Sequence, residues 1–277
     1  MAAFISVLAI SIGATWAIAS PQNATAKTPS SPAAGALPDV VGFRPGITIQ
    51  EGYNQLNAYD PKGKIDVDNV QIPRIADKPI PSELTLSEFG AETSPEVIQV
   101  GITLPPNKQL VWKVTRQLVY PTGREMSRTV LLAALRQKYG PETYMDGGSN
   151  ANLVWLFDEQ GRRVTESAPP AQPCALAPVA SNQTGLGMAV LNQPSPTFPQ
   201  EKNGDWVRCK SLVYVRAQIK VANGRGNEFI NWMAVSVADS GLATRAQDAT
   251  VAFISNANTK QKKQELDRAR KQAPPKL

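Results

Sequence analysis

Two stretches of this chain share one order of parts. Each has a glycine-containing lead-in, a helix-forming segment that ends at proline, and then apolar runs separated by turns. That order restricts the fold more than any single residue does. Helices followed by turn-linked strands build an antiparallel sheet with helices packed on it, an α+β class. In the first stretch Thr48 and Glu51 have capping-box spacing: the hydroxyl can accept the third helical amide while the carboxylate reaches back to the cap. Ile49, Tyr53, Leu56 and Tyr59 then recur at near-helical spacing, and Pro61 stops the helix. Residues 65–81, broken by Pro73, Pro79 and Pro81, read as edge strand or extended loop. Val97–Leu104 and Leu110–Tyr120 flank Pro105-Pro106-Asn107-Lys108 and read as a hairpin. Alternation along its second strand is apolar on one face, except that Val111 and Arg116 fall on the sides opposite to their character.

In the second stretch Pro121-Thr122-Gly123 is a turn, and Glu125–Tyr139 reads as a helix. Val130, Leu131, Ala134, Leu135 and Tyr139 form its stripe, and Gly140-Pro141 ends it. Asp146–Asn150 reads as a loop, Asn152–Phe157 as a strand, and Lys210–Val221 with Glu228–Val237 as strands about an Asn223-Gly224 turn. Asp239 or Ser240 can cap a final helix running to about Lys271. The expected organisation is an N-terminal segment 1–26, a linker 27–39, α+β units at 40–120 and 121–256, and a basic helical tail at 257–277. The second unit carries a proline-rich loop at 168–199. A tandem duplication would align Phe43-Arg44-Pro45-Gly46-Ile47 with Tyr120-Pro121-Thr122-Gly123-Arg124.

Gly46-Ile47-Thr48-Ile49-Gln50-Glu51 resembles the Gly-Met-Thr-x-x-Glu/Gln lead-in of a group of exported bacterial α+β modules. These are the small outer-membrane-assembly lipoproteins of the SmpA/OmlA type and the β-lactamase-inhibitor-protein-like folds. The chain departs from them in Ile47 for Met, in Gly52 after the Glu, and in having no lipobox cysteine. The resemblance covers about ten residues. It implies a short helix packed on an antiparallel sheet, sometimes in tandem, and a role in protein–protein contact.

Residues Ala2–Ala19 carry no charge and precede small-residue patterns at Ala17-Ile18-Ala19 and Ala24-Thr25-Ala26. The segment reads as an export signal, which implies a periplasmic or secreted protein. Uncleaved, its 18 residues would make a short inner-membrane anchor. In an oxidising compartment the two cysteines, Cys174 and Cys209, are expected to form a disulfide. Trp206 then stands where it can pack on that bridge.

No histidine occurs among the 277 residues. This excludes Ser-His-Asp and Cys-His nucleophile pairs and histidine-ligated metal sites. No phosphate-binding glycine loop appears, and no cofactor or metal is implied. Asp66 and Asp68 share one face of their strand and are candidates for binding a cation, for paired carboxylates or for a solvated edge. A carboxylate-dependent glycan or cell-wall hydrolase therefore stays an alternative to a non-enzymatic interaction module with a protein partner. Trp112, Trp155 and Trp232 lie in strands and are expected in the core. Of the net charge of +6, the tail from Ala257 carries +5: Lys260, Lys262, Lys263, Arg268, Arg270, Lys271 and Lys276 against Glu265 and Asp267. A third reading is an envelope-binding protein that attaches through this tail to an anionic surface. The tail has no aromatic residue to stack on bases, so nucleic acid is not the expected partner.

Overall fold

The computed structural model describes residues 37–71, 79–87, 95–147, 150–164, 213–222 and 228–271, all within one compact unit spanning Ser31–Leu277. Helix α1 (Ile49–Tyr59) is followed by β1 (Lys64–Val70), β2 (Ile80–Ser87), β3 (Glu96–Ile102) and β4 (Val111–Val119). A two-residue strand β5 (Met126–Ser127) leads into α2 (Arg128–Tyr139), then β6 (Tyr144–Gly147), β7 (Ala151–Phe157), β8 (Val213–Val221) and β9 (Phe229–Asp239). The C-terminal helix α3 runs over Ser240–Arg270. The order across the single antiparallel sheet is β1-β2-β3-β4-β9-β8-β7-β6, with β5 beside β9. The class is α+β, with three helices among the described residues.

The sheet order is a palindrome. Each half is one helix and four consecutive strands, and the halves join where β4 pairs with β9 over seven residue pairs. The helix starts repeat as well. Thr48 bridges to Leu110 at the head of β4, and Ser127 pairs with Phe229 at the head of β9. The Ile49 amide donates to the Gln109 carbonyl as the Arg128 amide donates to that of Glu228. Matching the caps Thr48 and Ser127 places Gly52 against Leu131 and Leu56 against Leu135, the buried positions of α1 and the first two of the three in α2. In that match Gly46 faces Glu125. The alignment of Gly46 with Gly123 suggested by the lead-in motif is thus two residues out of step. Both glycines take positive φ, at 93° and 84°, and turn the chain toward its helix.

Local chemistry accounts for the elements. Thr48 Oγ1 accepts from the Glu51 amide, and Glu51 Oε2 accepts from the Thr48 amide at 2.7 Å, so the capping box forms. The helix face differs from the spacing-based reading, because Gly52 and Leu56 are buried while Tyr53 and Tyr59 are 43% and 39% exposed. A Cβ at Gly52 would stand 3.3 Å from Val111 Cγ2, so the glycine lets α1 lie close on β4. Helix α2 begins at Arg128 rather than Glu125, since β5 claims the residues before it. Its inner face is Leu131, Leu135 and Tyr139, and Val130 is 58% exposed. Tyr139 packs on Trp155 at 5.4 Å between ring centroids, and the buried Trp155 Nε1 donates to the Gly140 carbonyl at 2.8 Å.

The register explains the misplaced Val111. A bulge pairs Gly101 with Lys113 but Ile102 with Val111, leaving Trp112 as the extra residue. Val111 thereby turns to the helix side, where it joins Leu84, Ile98, Val100, Val114, Val237 and their neighbours in the main core. Arg116 also points to that side. It is held by Glu96, whose carboxylate accepts from Arg116 Nε at 2.6 Å and from the Tyr59 hydroxyl at 2.7 Å. Residues 65–70 do form the sheet edge. Strand β2, with Leu84 and Leu86 on the core side, lies inside the sheet with Pro81 at a bulge. Asp146 and Gly147, expected in a loop, pair with Asn152 and Ala151 in β6.

Candidate functional site

Helices α1 and α2 cover one face of the sheet. The other face is read row by row from the register. The first row is Asp68, Glu83, Gly101, Lys113, Ala238, Tyr214 and Leu156. The second contains Asp66, Thr85, Gln99, Thr115 and Ser236. The third runs from Lys64 through Ser87, Val97, Gln117, Ala234 and Gln218 to Asn152. Val119, Trp232 and Lys220 begin a fourth.

The first row is closed over by α3. Asp239 Oδ1 caps that helix by accepting from the Leu242 amide at 2.7 Å, as the sequence suggests. Thr250 Oγ1 donates to the Pro105 carbonyl at 2.8 Å, and Asn107 Nδ2 donates to the Ala246 carbonyl at 3.2 Å. Ile254 packs against Val70, Ile80 and Leu104. Under this cover Glu83 and Lys113 are each 4% exposed.

An amide ladder crosses β4, β3 and β2 and ends on a carboxylate. Gln117 Nε2 donates to Gln99 Oε1 at 3.0 Å, and Gln99 Nε2 donates to Glu83 Oε1 at 3.2 Å. Thr85 Oγ1 donates to the same oxygen at 3.3 Å. Glu83 Oε2 is buried without a hydrogen-bond partner among the described residues. Burial first, and then the charge of Asp68 directly across the strand pair, push the Glu83 carboxyl up to about 7; Lys113 and the two hydrogen bonds act in the opposite sense. Thr115 and Ser236 share a hydrogen bond of 2.9 Å across the β4–β9 seam.

The opposite end of this face is mixed: Ser87, Val97 and Ala234 of the third row are buried, while the side chains about the fourth row are more exposed. Val119 is 47% exposed, and Trp232, Gln117, Gln218 and Asn152 are half-buried. Lys220 Nζ lies 4.4 Å above the centroid of the Trp232 ring, and Gln218 Nε2 donates to Asn152 Oδ1 at 3.0 Å. The expected tryptophan cores are therefore two rather than three. Trp112 and Trp155 are buried, and Trp232 belongs to this surface.

The other singled-out residues are distributed as follows. Asp66 pairs with Lys64 at 2.7 Å, and Asp68 faces Glu83. Among the described residues no three of His, Cys, Asp and Glu gather where they could hold a metal ion. Lys260, Lys262, Lys263, Arg268, Arg270 and Lys271 are exposed along and just past the second half of α3. Cys174, Cys209, Trp206, Lys276, the N-terminal segment and the proline-rich loop lie outside the described residues. Among the described residues no helix is long and apolar enough to cross a membrane. Comparison of the chain with family models, with curated proteins and with solved structures finds no match.

Proposed function

We propose that this chain is an exported, non-enzymatic interaction module that docks a protein partner at the Trp232 end of the sheet face opposite α1 and α2. The observation that carries the reading is Trp232, a tryptophan left half-buried beside exposed Val119, with Lys220 on its ring and amide side chains around it. A buried-on-docking aromatic with a polar rim is the usual anatomy of a protein interface. The charge-free N-terminal segment and the resemblance of residues 46–51 to exported modules support the compartment and the role. The hydrolase alternative asks for two carboxylates flanking a substrate. The acid pair that the register brings together, Asp68 and Glu83, has one member 4% exposed and already bound by Thr85 and Gln99, so a glycosidic oxygen could not reach it.

The test is site-specific photocrosslinking in the native host. A reactive side chain at Val119 is expected to give a discrete protein adduct, and one at Val130, exposed on the outer side of α2, is not. Trp232→Ala should remove the adduct while leaving the fold intact. Adducts of equal yield at both positions, or an adduct indifferent to Trp232, would overturn the proposal.

A further inference from the structure

We propose that the second half of α3 is an arm that attaches the protein to an anionic phospholipid bilayer through one outward stripe. The helix is continuous from Ser240 to Arg270, but only its first half is built into the body. Its contacts with the body include Thr250 and Ile254, and Thr250, Ile254, Ala257 and Gln261 are buried or half-buried. At about 100° per residue these positions share one side of the helix. On the opposite side, within an arc of about 100°, lie Lys262, Lys263, Leu266 and Arg270. Neither acid of this segment, Glu265 or Asp267, falls in that arc. Lys262, Lys263 and Arg270 make no ion pair with another described residue, and Leu266 is 51% exposed.

A helical segment of this length gains little stability from propensity alone, and every residue from Lys262 to Arg270 is exposed. What the stripe offers is three cations, without an ion pair among the described residues, around one apolar side chain. That set matches a lipid headgroup layer: phosphates meet the cations, and Leu266 reaches the acyl boundary. A soluble polyanion would use the cations but not Leu266. The body from Lys27 to Asn256 is close to neutral at +1, so attraction to a surface is concentrated in this arm. The proposal does not depend on the partner site at Trp232.

The experiment is co-sedimentation of the untruncated protein with phosphatidylcholine vesicles and with vesicles of phosphatidylcholine and phosphatidylglycerol at a 7:3 ratio. The neutral vesicles report any contribution of the apolar N-terminal segment, so the readout is the ratio of the two affinities. The anionic vesicles should bind at least tenfold more tightly, and 0.5 M NaCl should erase the difference. The triple variant K262Q/K263Q/R270Q should lose at least tenfold of the preference. The charge-matched control K62Q/K108Q/R124Q, at three exposed body positions, should keep it within about twofold. Leu266→Ser should weaken vesicle binding severalfold without changing binding to soluble polyphosphate. No preference for anionic vesicles, equal losses in the two triple variants, or vesicle binding unaffected by Leu266→Ser would each overturn the proposal.

Discussion

Glu83→Gln tests the reading of the buried row quantitatively. The Glu83 carboxyl titrates near 7 in the folded chain against an ordinary value of 4.5. Below about 4.5 it is protonated in both states and costs nothing. Between 4.5 and 7 the unfolded chain releases the proton while the folded chain keeps it, so stability falls as pH rises. Above 7 the folded chain holds a buried carboxylate and stability levels off. The whole span is about 3 kcal/mol at about 1.4 kcal/mol per pH unit, and the part between pH 5 and pH 8 is about 2.5 kcal/mol. Glutamine has the same shape and keeps an oxygen for Thr85 and Gln99, but it does not ionise. The pH 5 to pH 8 loss should therefore shrink by about 2.5 kcal/mol in the variant, measured by urea unfolding at both pH values. With an urea slope of about 2–3 kcal/mol per molar, that is a difference of about 1 M between the two proteins in how far their midpoints move. The difference of differences is the informative quantity, because any change in packing that the substitution brings is common to both pH values and cancels. Identical pH dependence in the two proteins would refute the account and would mean that Glu83 is hydrated at its ordinary acidity.

Three further outcomes follow from the packing. Leu56→Ala and Leu135→Ala remove the same inner-face residue from the two halves, so each should cost about 2–5 kcal/mol, and unfolding should stay a single transition because β4 and β9 join the halves; two resolved transitions would contradict that. Gly52→Leu should destabilise by about 1–3 kcal/mol in thermal or denaturant unfolding, since the site already places a Cβ 3.3 Å from Val111, whereas Gly52→Ala should be near neutral as helix propensity offsets the contact. Asp239→Ala should cost about 1 kcal/mol through loss of the α3 cap, visible as a lower unfolding midpoint with an unchanged urea slope.

Much of the backbone was legible because its signals are local. The Thr48–Glu51 box, the stop at Gly140-Pro141 and the Asp239 cap each involve residues a few positions apart, and each appears where the spacing indicates. Strand β2 left a weaker trace. Its outer face carries Glu83, Thr85 and Ser87, which look like a solvated strand or loop until the sheet folds them beneath other chain. The inward side of α1 is obscured in the sequence for a related reason. Tyr53 is the larger apolar residue, but close approach to Val111 selects the glycine beside it, and no periodicity rewards an absent side chain. Val111 looked misplaced only because a bulge is a property of the strand pair and cannot be read from one strand.

The site was hidden by the same non-locality. Trp112, Trp155 and Trp232 look alike in sequence, each a tryptophan in an apolar strand. Their fates diverge through partners far along the chain. Trp155 meets Tyr139 and the Gly140 carbonyl of the preceding helix; Trp112 is the bulge residue; Trp232 pairs with Val119 at the seam, where neither half places a helix. The seam therefore does two things at once. It joins two helix-and-four-strand units into one sheet, and it creates a broad second face that the unit helices α1 and α2 do not cover. Helix α3 closes one end of that face and seals the Glu83–Lys113 row. At the other end Val119 stays exposed and Trp232 half-buried, so the location of the proposed docking surface follows from the pairing of the two halves and one added helix, and not from any motif within either half.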